Sequence, residues 1–205
     1  MQFFELKTQL KHFSVFSIQD IEKINPSFHK QRLSEWQKKG YIKKIRQGFY
    51  YFSDIQINEQ ALFIIANTIY SPSYISLEMA LSVYGLIPEA VYSITSVTSQ
   101  KTHTFKTTVG HFIYQHIKPE LLFGYELREH SNQRYMIAEM EKALLDYFYL
   151  HPHIKNREDF EGLRFNVSEL KSKIHMDRFK KYLAAFQCKA LSARMNTFLT
   201  YIEYA

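Results

Sequence analysis

Across the first fifty residues the apolar positions recur three times at helical spacing and then change to the spacing of strands. Phe3, Leu6 and Leu10 predict a short amphipathic helix. Ser17 reads as the N-cap of a second, with Ile18, Ile21 and Ile24 on one face. Asn25-Pro26 ends that helix, because proline disfavours helical geometry in the residue before it. Ser27 then reads as the cap of a third helix, "FHKQRLSEWQKKG", closed by Gly40 as a left-handed terminal residue. In "YIKKIRQGFYYF" two β-prone runs flank Gln47-Gly48, a pair that supplies the positive φ of a tight hairpin turn. Three helices followed by a hairpin predict a winged helix-turn-helix over residues 1–54, ending at Phe52-Ser53-Asp54.

The rest of the chain, 55–205, reads as a second α+β unit. "NEQALFIIANTIY" is a largely apolar helix, followed by the punctuation Ser71-Pro72-Ser73. "SLEMALSVYGLIP" predicts another helix, capped by Ser76 and stopped by Gly85 and Pro88. The β-prone runs "VYSITSVTSQ", "HTFKTTVGHFIYQHI", "YELREH" and "RYMIAEM" predict an antiparallel sheet. "AEMEKALLDYFYLHP" returns to helix with Met140, Leu144, Tyr147 and Phe148 on one side, and the end is helical again from about 166. Leu170, Ile174, Phe179, Leu183 and Phe186 are the expected packing residues there.

Charge changes this picture only in one place. The 205 residues carry a formal net charge of +6. Residues 1–54 hold ten Lys or Arg against five Asp or Glu, and within 27–46 seven bases face Glu35 alone. A localised surplus of this kind is an electrostatic footprint for a polyanion. On a helical wheel centred on Leu33, His29, Trp36 and Gln37 fall on the inner side. Ser27, Gln31, Ser34 and Lys38 fall opposite, flanked by Lys30 and Arg32. In a helix-turn-helix the second helix of the motif enters the major groove, where Gln and Arg read bases and Ser and Lys hold phosphates. The wing residues Lys43, Lys44, Arg46 and Gln47 are expected along the adjacent backbone, contributing affinity and salt dependence. Phe28 is placed either against a thymine methyl or, preferentially, as a staple of the helix start to the core.

No other constellation points to chemistry. His103, His111, His116, His151 and His153 lack the spacing of a zinc site, and none sits in a His-Glu-x-x-His helix. Glu139, Glu141 and Asp146 read as charges on a helix flank. All six glycines are isolated, so there is no phosphate loop, and no Gly-x-Ser-x-Gly elbow occurs. "TSQK", Thr98 to Lys101, has the shape of a nuclease strand, but Ser99 takes the acidic position. Cys188 reads as a packed thiol. No catalytic residue, metal or cofactor is expected. Without a signal-like or membrane-spanning run, the expected location is the cytoplasm, with no membrane partner.

Three ordered blocks carry a resemblance. "LSEWQKKGYIKKIRQGFYYF", "SPSYISLEMALSVYGLIPEAVYSITSVTSQKTHTFKTTVGHFIYQHI" and "AEMEKALLDYF" make residues 5–150 resemble the AbiEi-type antitoxins, transcriptional regulators of bacterial abortive-infection toxin–antitoxin systems of type IV. The resemblance implies an N-terminal winged helix that represses its own operon by binding operator DNA. It also implies a C-terminal domain that counteracts a nucleotidyltransferase-like toxin without a stable complex. The alternative is a protein–protein interaction module using the winged helix as a docking scaffold.

Overall fold

The computed structural model describes residues 1–204 as an α+β chain; Ala205, the last residue of the expected second unit, lies outside the described residues. The chain begins with α1 (Phe3–Leu10), β1 (Phe16–Ser17), α2 (Ile18–Ile24), α3 (Gln31–Lys38), β2 (Ile42–Arg46) and β3 (Phe49–Phe52). β3 lies between β1 and β2 and is antiparallel to both. The predicted stripes converge here, except that Ile24 at the end of α2 is exposed: Leu6 and Leu10, Ile21, Leu33 and Trp36 meet Phe16, Ile42 and Phe52 in one buried cluster. Each such side chain gains about 1.5–3 kcal/mol from leaving water.

At the start of α2, Ser17 Oγ accepts from the Asp20 amide (3.1 Å) and the Asp20 carboxylate accepts from the Ser17 amide (2.8 Å). Burial pushes the Asp20 carboxyl up, but the Ser17 bonds and Lys23 outweigh it and hold the group below the ordinary value of 3.8. A lowered carboxyl favours the folded state above its unfolded value, so this contribution fades as pH falls below 3.8. Ser17→Ala is expected to cost about 1 kcal/mol in urea unfolding at neutral pH. An unchanged midpoint and slope would show the cap to be dispensable.

The third helix differs from expectation at its start. Ser27 does not cap it; the Ser27 amide instead donates to Asn25 Oδ1 (3.0 Å), and Asn25–Phe28 form a tight turn, the Phe28 amide donating to the Asn25 carbonyl (3.0 Å), before α3 begins at Gln31. Pro26 and the asparagine turn absorb the residues that would have been the first helical turn. His29, expected inside, is therefore exposed, while Phe28 is buried with its ring 5.6 Å from Trp36. Phe28 is a core staple and has no free face for a thymine.

The second unit runs α4 (Glu59–Ile69), β4 (Ser73–Ile75), α5 (Leu77–Val83), β5 (Ser93–Thr98), β6 (His103–Lys106), β7 (His111–His116), β8 (Tyr125–His130), β9 (Gln133–Ala138) and α6 (Met140–Leu150). Four helices follow: α7 (Arg157–Gly162), α8 (Val167–Lys173), α9 (Met176–Ala185) and α10 (Lys189–Tyr204). The sheet is mixed, in the order β6-β7-β5-β4-β9-β8, which corrects the antiparallel expectation. β5 pairs β7 in parallel, Ser93 with His111 through Thr98 with His116, and β4 meets β9 in parallel at Ile75 and Ile137. Cys188 is free and half-buried against the core.

The two units share packing. Val15, Ile45 and Tyr51 of the first are buried in the large core of the second, and the Ser14 amide donates to Gln133 Oε1 (2.6 Å).

Candidate nucleic-acid interface

The turn between α2 and α3 and the hairpin of β2 and β3 present the basic window. Leu33 and Trp36 anchor α3 inward, and that anchoring leaves Gln31, Ser34 and Lys38 exposed, as the helical period requires. Gly48, at φ +84°, closes the hairpin in a conformation that side chains resist, and its carbonyl accepts from the Ile18 amide (3.1 Å). The hairpin tip is thus tied to the start of α2. Lys43, Lys44 and Gln47 on it are exposed, and neither lysine has a carboxylate partner among the described residues.

Four expected contact residues stand differently. Ser27 is exposed but belongs to the turn, not to the helix whose groove-facing side was expected to carry it. Lys30 is exposed at the start of α3 and pairs with Glu22 at 3.0 Å, so part of its charge is already answered. Arg32 turns away: its Nη1 donates to the Met1 carbonyl (2.6 Å), tying α3 to the N-terminal residue. Arg46 is half-buried, with its guanidinium carbon 4.5 Å from the centre of the Phe105 ring and 5.2 Å from that of Phe49. Of the expected contact residues, Gln31, Ser34, Lys38, Lys43, Lys44 and Gln47 thus stand exposed on α3 and the hairpin, with Lys30 at their edge. Arg pairs planar anions well, but this guanidinium is already held by the two rings.

A different set of polar groups lies inside the second unit. Glu141, Lys142 and Asp146 are buried in α6, which corrects the expectation of flank charges. Lys142 Nζ pairs with Asp146 Oδ1 and donates to the Tyr74 hydroxyl (2.7 Å). Tyr74 OH and Ser76 Oγ each donate to Asp146 Oδ2 at 2.9 Å. Ser76, expected as a helix cap, makes no side-chain cap bond and serves this carboxylate instead. The rings of Tyr74, Phe123 and Phe186 stand 5.0–5.3 Å from the ammonium. Glu141 accepts from the His175 amide (2.8 Å), and Arg178 bridges Glu141 and Glu139.

A cleft of about 200 Å³ opens beside Glu139, Glu141 and His175, but neither Lys142 nor Asp146 lines it. The donors and acceptors of the inner cluster are directed at one another, the arrangement that lets a fold hold charge in its interior. Sequence reasoning passed over this cluster although one signal was present. α6 is apolar on nearly every side, so a Lys and an Asp four residues apart on it have only each other to face.

The histidines have ordinary partners. The His103 ring lies 4.3 Å from that of Phe105, His116 Nδ1 is 2.8 Å from the Gln100 carbonyl, and His151 Nδ1 is 2.8 Å from the Tyr147 carbonyl. His111 and His116 point to opposite faces of β7, whose pairing with β5 is regular. Ser99 lies in the turn after β5. Among the described residues no group of three His, Cys, Asp or Glu stands close enough to hold a metal ion, and no helix is long and apolar enough to cross a membrane. Neither a family model nor a curated protein matches the chain.

Proposed function

We propose that the protein is a DNA-binding transcriptional regulator of the antitoxin type, with residues 1–54 acting as a winged helix-turn-helix on its own operator. In this reading α3 lies in the major groove, Gln31 and Ser34 meet base edges and phosphates, and Lys43, Lys44 and Gln47 run along the neighbouring backbone. The second unit counteracts a nucleotidyltransferase-like toxin without a stable complex. One observation carries the DNA-binding part: the chain's charge surplus is concentrated in one window, and its exposed members lie on a helix and a hairpin that follow each other directly. A solvated helix alone would explain lysines on α3. It would not explain a second basic group on the short hairpin beside it. The antitoxin part rests on the resemblance over residues 5–150.

The test is a gel shift with the duplex upstream of the protein's own reading frame beside a scrambled duplex, at about 150 mM salt, a concentration at which phosphate contacts are already weakened. Selective retention of the first duplex supports the reading. Equal retention of both reduces it to a generic basic patch, and retention of neither overturns it in favour of a docking module.

A further inference from the structure

Arg46 stands at the wing, carries the right charge for a phosphate, and faces elsewhere. In β2 it follows an irregularity: Lys44 pairs Tyr50 and Arg46 pairs Phe49, so Ile45 is an extra residue on its strand. A bulge of this kind re-aims the side chains on either side of it. Ile45 goes into the core of the second unit, and Arg46 goes between the rings of Phe49 and Phe105. Phe105 belongs to β6, the edge strand of the large sheet, and its ring in turn meets Tyr70 and Tyr114. The guanidinium lies near enough to the Tyr114 hydroxyl to oppose the upward push that burial gives it. One turn further on, Thr108 Oγ1 donates weakly to the Lys44 carbonyl (3.4 Å). The wing is therefore joined to the β6–β7 hairpin by a stacked cation, a buried aliphatic side chain and a backbone contact.

We infer that Arg46 is a positioning residue. It holds the wing at a fixed angle to the second unit through Phe105, so that Lys43, Lys44 and Gln47 meet a duplex already oriented, and it does not itself contact phosphate. The functional consequence rests on the DNA-binding reading above; the anchoring does not. β2 is an edge strand of a small three-stranded sheet, and fixing it before binding removes part of the ordering cost of association. Arginine suits the role because its plane stacks between rings, which an ammonium cannot reproduce.

The experiment uses the full chain and four variants: Arg46→Ala, Arg46→Lys, Phe105→Leu and Arg46→Ala with Phe105→Leu. Affinity for the upstream duplex is measured against salt, and amide exchange of residues 43–50 is measured without DNA. Anchoring predicts that Phe105→Leu, which changes no charge, weakens binding about two- to fivefold. Arg46→Ala and Arg46→Lys should do the same with the salt slope unchanged, and the double variant should be no worse than either single one. Wing amides should exchange faster in every variant.

A direct phosphate contact predicts the reverse: Phe105→Leu silent, Arg46→Lys near wild type, and Arg46→Ala lowering the salt slope by about one unit. That pattern overturns the inference and leaves the DNA-binding reading standing. If the wild-type chain retains no duplex, the DNA-binding reading falls, and exchange alone decides: faster wing exchange in Phe105→Leu and Arg46→Ala supports anchoring, and unchanged exchange overturns it.

Discussion

Lys142→Met alone is expected to lower the unfolding free energy by about 3–5 kcal/mol, a large share of the stability of a domain this size. The ammonium is wholly buried, and its removal leaves the Asp146 carboxylate in the interior with only Tyr74 and Ser76 as donors. An uncompensated charge there costs far more than the volume change, because methionine fills nearly the same space among the rings of Tyr74, Phe123 and Phe186. Adding Asp146→Asn removes the stranded charge and keeps an acceptor for the two hydroxyls, so the double variant should recover at least half of the loss. Urea unfolding of the four proteins gives the coupling directly. Two single effects that simply add would show that the ion pair is not what these residues contribute.

The pH dependence of the same pair has a definite sign. Burial pulls the Lys142 ammonium below its ordinary value and pushes the Asp146 carboxyl above its own, in each case against the attraction of the partner. Between 3.8 and the raised Asp146 value the folded chain binds more protons than the unfolded one, so stability falls as pH rises. Between the lowered Lys142 value and 10.5 the unfolded chain binds more, and stability rises with pH. The pair thus contributes a trough at intermediate pH, which should appear when the double variant's stability profile is subtracted from that of the wild type.

These two residues also mark where local sequence stops being informative. The helix that carries them was legible from its apolar spacing, as were α2 from Ser17 and the hairpin from Gly48, because each signal lies within a few residues of its consequence. The burial of Lys142 left only the i,i+4 spacing with Asp146 as a local signal, since the partner that completes the cluster, Tyr74, lies sixty-eight residues earlier. β4 is three residues long and follows Pro72, so its alternation is too short to register. The parallel pairing of β5 with β7 joins residues eighteen apart across an intervening strand, and strand periodicity is the same for either direction. In the basic window the inward anchors Leu33 and Trp36 correctly implied the exposure of Gln31, Ser34 and Lys38. The contacts of Arg32 and Arg46 were not legible, because guanidinium chemistry suits a carbonyl or a pair of rings as well as a phosphate, and sequence does not record which is nearer.

That distinction sets the size of the largest effect expected on binding. With Arg32 and Arg46 engaged elsewhere, Lys30, Lys38, Lys43 and Lys44 are the exposed cations among the expected contact residues, Lys39 at the end of α3 being exposed beside them. If each meets one phosphate, the log–log dependence of affinity on salt should have a slope of about −4. Lys43→Ala with Lys44→Ala should bring it to about −2 and weaken binding about 30-fold at 150 mM salt, equally for operator and scrambled duplexes, since phosphates carry no sequence. Gln31→Ala should behave in the opposite way, leaving the slope untouched while removing about 1–3 kcal/mol of preference for the operator. A lysine pair whose loss changes preference but not slope would mean that the hairpin, not α3, enters the groove. Loss of both slope and preference in Gln31→Ala would mean that α3 has lost its seat on Leu33 and Trp36, which a thermal melt of the variant distinguishes from lost base contact.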